Sequence, residues 1–307
     1  MISRRTFLRM MAALGITGTL TGGYALAEPF RHAVTRYALS PPGWPPGLHL
    51  RLVVIADVHA VDPWMTAERI AGIVATANSL APDAILLLGD YVVGYRLGRF
   101  GRPVAHIEWA AALGRLEAPL GVHAVLGNHD WWEDAELQRR RKGPTAAGRA
   151  LEAAGIPVYE NRAVRLSKQG RPFWIAGLGD QWAFWPRPEA YDLFRRRGKR
   201  DYEGVHDLPV TLSQVTDDAP VILLAHEPDI FPEVPARVAL TLSGHTHGGQ
   251  VRLAGFAPIV PSKFGRRYTY GHITEGGRHL IVSGGLGMSG LPVRFGSPPE
   301  IVVVELG

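Results

Sequence analysis

The sequence predicts an α/β fold with a layered core, and three observations point to it. Short, β-branched apolar runs alternate with segments of helical spacing along most of the 307 residues. The runs are apolar on both faces, which is the mark of strands buried on both sides. No solenoid-type repeat divides the chain, so residues 48–307 read as one domain.

Residues 1–27 begin with Arg4 and Arg5, continue through an apolar middle, and end on the small residues Ala25 and Ala27. That is the layout of a secretory signal. The paired arginines resemble a twin-arginine export signal, with cleavage expected after Ala27 and an uncleaved anchor as the alternative. Gly15, Gly18, Gly22 and Gly23 interrupt the apolar part, which makes it a poor membrane-spanning helix. Residues 28–47, with SPPGWPPG, form a proline-rich lead-in without helix or strand periodicity.

The domain opens with LRLVVIADVH, a buried strand. Residues 66–80 have helical spacing, with Thr66 as N-cap. DAILLLGD is the second strand, residues 106–117 the next helix, GVHAVLGNHD the third strand, and a helix follows over 145–155. AVRLSKQGRPFWIAGLGD reads as a hairpin turning at Gln169–Gly170. APVILLAHEPD and VALTLSGHTH are two further apolar strands, and residues 268–307 alternate short strand-like runs with glycine turns.

Composition narrows the chemistry. The absence of cysteine excludes disulfides and thiolate metal sites, so any metal must be held by oxygen and nitrogen. The formal charge of +5 owes three units to Arg4, Arg5 and Arg9, in a segment that holds no acid. The remainder carries 30 basic against 28 acidic residues, so no nucleic-acid partner is expected.

The polar residues fall in a regular place. Asp57 and His59 end the first strand, Asp90 the second, and Asn128, His129 and Asp130 the third; His226 ends a later one and His245 and His247 the last. Ligands of open α/β sheets bind beyond the carboxyl ends of strands. Spacing of i and i+2 in extended chain would aim Asp57 and His59 together, and likewise His245 and His247. Singly, each has a plain structural role: helix cap, turn or solvated imidazole. Together they gather five imidazoles, three carboxylates and an amide where buried charge needs a counter-charge, which two divalent cations would supply.

In this order, DVH, GD, GNHD, H and GHTH resemble the signature of the calcineurin-like metallophosphoesterases, and the match spans most of residues 51–250. SKFGRRYTYGHI and VSGGLGMSGLPVRFGSPPEIVVVEL resemble the exported bacterial branch. The resemblance implies two packed mixed β-sheets flanked by helices. It implies Asp57, His59 and His247 on one metal, Asn128, His226 and His245 on the other, and Asp90 bridging. His129 would face the substrate as a proton donor, with Asp130 fixing its orientation. The metals would be Mn, Fe, Zn or Co, and the activity hydrolysis of phosphoric esters by in-line attack of metal-bound hydroxide.

A phosphodiesterase acting on an envelope or phospholipid-type substrate is the expectation, with export by the twin-arginine machinery to the periplasm or cell envelope. The alternatives are a phosphomonoesterase or pyrophosphatase, or a non-catalytic metal- or lipid-binding envelope protein on the same fold. Trp131, Trp132, Trp182 and Trp185, near runs of arginine, pack the core on the plain reading. If several stood exposed beside the metals, they would form a rim for peripheral membrane contact.

Overall fold

A computed structural model describes residues 22–186 and 202–307. Residues 1–21 of the signal-like segment and residues 187–201 of the second basic cluster lie outside the described residues. Two mixed sheets form the centre. The first has strand order β1-β13-β2-β4-β6, with β1 at Ala33–Leu39, β2 at Leu50–Ile55, β4 at Ala84–Leu87, β6 at Val122–Ala124 and β13 at Glu300–Leu306. The second has order β11-β12-β10-β9-β8-β7. Its strands are β7 at Arg162–Lys168, β8 at Arg171–Gly177, β9 at Val221–Leu224, β10 at Val238–Ser243, β11 at Gly271–Glu275 and β12 at Arg278–Val282. A small ribbon pairs β3, Val61–Asp62, with β5, Arg102–Pro103.

The doubly apolar runs have a direct structural cause. Alternate residues of one strand serve two cores. Leu52, Val54 and Leu86 point between the sheets and meet Phe173, Ile175, Ile222, Leu224, Leu240 and Leu242. Val53, Ile55, Ile85 and Leu87 point outward, against Ile70, Ile73 and Val74 of the helix Ala67–Ser79 and Trp109 and Leu113 of the helix His106–Leu113. A third core covers the outer face of the second sheet, with Val221, Leu223, Leu280 and Phe231. The result is the pair of packed sheets flanked by helices that the motifs implied.

Local signals were reliable where chemistry is local. Thr66 caps its helix by accepting the Arg69 N–H at 3.2 Å, and Thr145 caps Ala146–Ala153 by accepting that of Gly148 at 2.8 Å. The hairpin turns at Gln169 and Gly170, both at positive φ. Two expectations need correction. The lead-in contains β1, paired in parallel with β13. As an edge strand it turns Thr35, Tyr37 and Leu39 partly inward, and its apolar period is too weak to read. The helix expected over 106–117 stops at Leu113, where Gly114 ends it.

Candidate metal centre

Strands β2, β4, β6, β9 and β10 all deliver their polar ends to one buried place. Asp57, His59, Asp90, Asn128, His226, His245 and His247 are each 5% exposed or less. Six of them form two clusters: Asp57 with His59 and His247, and Asp90 with His226 and His245, each set having ligand atoms within 4.8 Å of one another. Asp90 also connects them, because its Oδ2 lies 3.5 Å from His59 Nε2 and 3.2 Å from His226 Nε2. Across the first cluster, Nε2 of His59 and Nε2 of His247 are 3.1 Å apart.

The backbone that presents these groups is not extended. Five of the seven have positive φ: Asp57 at 53°, His59 at 44°, Asp90 at 58°, His245 at 67° and His247 at 53°. Non-glycine residues adopt this region at a cost and gather in it where function demands it. The expectation that i, i+2 spacing in extended chain aligns Asp57 with His59 is therefore corrected. Both reach one cluster through left-handed turns, whereas His245 and His247 diverge, one into each cluster. Gly285, at φ 67°, packs so close that a Cβ there would stand 2.6 Å from Asp57 Cβ.

Outer contacts orient the rings. His59 Nδ1 donates to Val92 O at 3.0 Å and His226 Nδ1 to Leu88 O at 2.6 Å. A carbonyl only accepts, so in both rings the proton sits on Nδ1 and Nε2 is the free ligand atom. The His245 N–H donates to both Asp57 oxygens, at 2.9 and 3.2 Å. Arg294, fully buried, donates to the carbonyls of Gly284, Gly285, Gly287 and Ser297, and its Nη2 stands 3.3 Å from His247 Nδ1.

The donor set fits two cations. Asn128 Oδ1, His226 Nε2 and His245 Nε2 are buried and have no hydrogen-bond partner among the described residues. Buried polar atoms left unpaired are expensive, and the two histidine nitrogens belong to the second cluster. Burial pushes the Asp57 carboxyl up to about 7 and the His59 imidazole down to about 4. A divalent cation favours the ionised carboxylate and the neutral imidazole alike. Oxygen and nitrogen donors without sulfur suit first-row divalent metals.

His129 and Asp130 part company. His129 lies beside the clusters, its ring 5.1 Å from that of His59. Its Nδ1 is 3.3 Å from Glu133 Oε1, one helical turn on. Burial opposes charge on His129, but Asp90 and Glu133 outweigh it and hold its pKa above the ordinary imidazole value. The expectation that Asp130 orients His129 is corrected. Its carboxylate turns away and accepts the backbone N–H groups of Gly127, Asp90, Tyr91 and Val92 at 2.9–3.1 Å. Glu133 was not singled out from the sequence, although its i, i+4 spacing from His129 was there to find. Arg294 left no such signal, being 47 residues from His247.

The tryptophans divide as well. Trp131 and Trp182 are buried, Trp132 is half-buried, and only Trp185 is exposed. The plain reading of core packing therefore holds for Trp131 and Trp182, and these four tryptophans do not form the alternative, a rim of several exposed rings. Trp182 packs edge-on against His245 at 4.5 Å, and Trp132 against His129 at 5.1 Å.

The family model of the calcineurin-like phosphoesterases matches residues 50–249. YkuE of Bacillus subtilis, an uncharacterised metallophosphoesterase, is 33% identical over 99% of this chain and 98% of its own length. An uncharacterised metallophosphoesterase of Aquifex aeolicus is 29% identical over 94% of this chain and 96% of its own. The phosphodiesterase YaeI of Escherichia coli is 29% identical over 100% of both chains.

Proposed function

The chain belongs to the calcineurin-like phosphoesterase family and is a metal-dependent phosphoesterase; from that premise we propose that it cleaves a phosphodiester of envelope or phospholipid type. The observation that carries the chemistry is the pair of buried clusters joined at Asp90, with His129 alongside. The relative named a phosphodiesterase favours a diester over a monoester or pyrophosphate. The signal-like residues 1–27 favour a substrate outside the cytoplasm.

In this reading Asp57, His59 and His247 would hold one divalent ion, Asn128, His226 and His245 would hold the other, and Asp90 would serve both. Bound there, two such ions supply Lewis-acid polarisation of the phosphoryl group and a lowered pKa for water. The chain supplies the rest. Glu133 accepts a hydrogen bond from Nδ1–H of His129, so that Nε2–H is the group that gives a proton to the leaving oxygen. Asp90 and Glu133 keep that ring charged to higher pH than a free imidazole. The neighbouring Trp132 packs edge-on against the His129 ring. Twin-arginine export, in the folded state, would let the ions be loaded before the chain leaves the cell.

The test is turnover of bis-p-nitrophenyl phosphate by chelator-stripped chain with and without added Mn²⁺. A panel of glycerophosphodiesters, phospholipids, nucleotides and phosphomonoesters follows. Mn²⁺-dependent turnover with preference for lipid-type diesters is expected. Preference for a monoester or pyrophosphate would replace the substrate reading, and no turnover on any ester would end it.

A further inference from the structure

Exposed apolar surface lies on the loop that follows His247 rather than around the tryptophans. Leu253, Phe256 and Ile259 are 56%, 53% and 79% exposed. The tip is held, not loose: Leu253 and Phe256 exchange both backbone hydrogen bonds at 2.9 Å across Ala254 and Gly255. Between Glu233 and Glu275 the chain has no acid, and Arg252, Lys263, Arg266 and Arg267 fall in that stretch. Arg267 is engaged by Glu275, but among the described residues Arg252, Lys263 and Arg266 make no ion pair. The Arg266 guanidinium lies over the Phe256 ring at 4.3 Å, which places a cation against an exposed apolar side chain.

The point where the chain enters the fold lies on the same side. Tyr24 packs its ring on Phe295 at 5.5 Å, and Ala25 O accepts the Arg294 N–H at 3.1 Å. Phe295 in turn bridges Val251, and its carbonyl accepts the Arg252 N–H at 2.6 Å. The end of the basic and apolar residues 1–27 and the start of the cationic loop therefore meet at one residue, Phe295. Tyr24 and Leu26 add exposed apolar surface there, 46% and 55% exposed.

We propose that residues 251–266 dock on an anionic lipid bilayer, with Leu253, Phe256 and Ile259 entering the acyl boundary and Arg252, Lys263 and Arg266 meeting the phosphates. Apolar tips flanked by unpaired cations are what such an interface takes up, because burial and headgroup attraction then act together. A protein partner of that chemistry would have to present acids around an apolar patch. The adjacent basic and apolar N-terminal segment favours lipid instead. The loop begins four residues after His247, so docking would bring the metal clusters close to the membrane surface. This holds whichever ester the site cleaves.

The chain has no cysteine, so Ile259→Cys gives a single labelling position on the full-length, metal-loaded protein. The label is an environment-sensitive NBD fluorophore. Glu152→Cys, on the exposed side of the helix Ala146–Ala153, is the control. Vesicles of phosphatidylcholine alone are compared with vesicles half phosphatidylglycerol. With anionic vesicles the probe at 259 is expected to shift to the blue and to be quenched by brominated acyl chains, while the probe at 152 does neither. Arg266→Glu, a change of two unit charges, should weaken vesicle binding by about 25-fold, since each charge near an anionic surface is worth roughly fivefold. Chain that sediments with vesicles while its 259 probe stays as in water would show that the N-terminal segment alone binds, and would overturn the proposal. An equal response with phosphatidylcholine alone, or no binding at all, would overturn it too.

Discussion

The carboxylate of Asp130 receives the backbone N–H of Asp90 at 2.9 Å, and so one acid of the GNHD motif sets the position of the acid that joins the two clusters. The same carboxylate takes three more N–H groups, buried ones from Gly127 and Tyr91 and a half-buried one from Val92. Asp130→Ala would leave all four without an acceptor. Each unmade buried bond costs about 1–3 kcal/mol, with partial relief by rearrangement, so a loss of about 3–5 kcal/mol in stability is expected. Thermal unfolding and metal content by mass spectrometry should fall together. A variant that kept both while losing turnover would move Asp130 into the chemistry itself.

His129 should behave in the opposite way. It touches neither cluster as a ligand, so His129→Ala is expected to keep its metals and its melting temperature. Its loss should be felt most where the leaving group most needs a proton, typically 10²–10⁴-fold for an alkyl phosphodiester and far less for p-nitrophenolate. Glu133→Gln should lower kcat for alkyl esters several-fold with KM unchanged, and Glu133→Asp should restore part of it. Equal losses on aryl and alkyl esters would show that His129 binds substrate rather than protonates it.

The legibility of these residues tracks how local their causes are. Asp57, Asp90, Asn128 and the four clustered histidines each follow an apolar strand, and strand ends announce themselves within a few positions. The geometry that aims them does not, because left-handed φ at Asp57, His59 and Asp90 leaves no local sequence mark, and Gly285, which packs against Asp57, is distant in sequence. Asp130 was visible as a residue but not as a backbone acceptor, since its partners at 90–92 come from another strand end. Strand β1 was hidden by its position at an edge, where half-burial erases the apolar period.

Arg294 is the clearest case of a cause invisible in one dimension. It ties together Gly284, Gly285 and Gly287, and that loop in turn bonds the Asp57 backbone through Gly287 N at 2.6 Å. Lysine carries the same charge but lacks the planar fork that meets several carbonyls at once. Arg294→Lys is therefore expected to cost about 2–4 kcal/mol and to weaken the cluster of Asp57, His59 and His247 selectively. Denaturant unfolding and metal titration check this. Unchanged stability together with full metal content would remove Arg294 from any supporting role.

Metal stoichiometry separates a shared ligand from an unshared one. Asp90 reaches a histidine of each cluster, at 3.5 and 3.2 Å, whereas Asp57 belongs to one. If two ions share Asp90, Asp90→Asn removes a charge from both sites, while Asp57→Asn removes it from the first alone. Isothermal titration of chelator-stripped chain with Mn²⁺ should then show about two ions for the parent, about one for Asp57→Asn, and weak, poorly resolved uptake for Asp90→Asn. The melting temperature should follow, because a ligand held only by the folded state stabilises it by about 2.7 kcal/mol at a hundred times its Kd. Equal stoichiometry in the two variants would mean that Asp90 serves a single ion, and that the clusters are joined by proximity rather than by a common carboxylate.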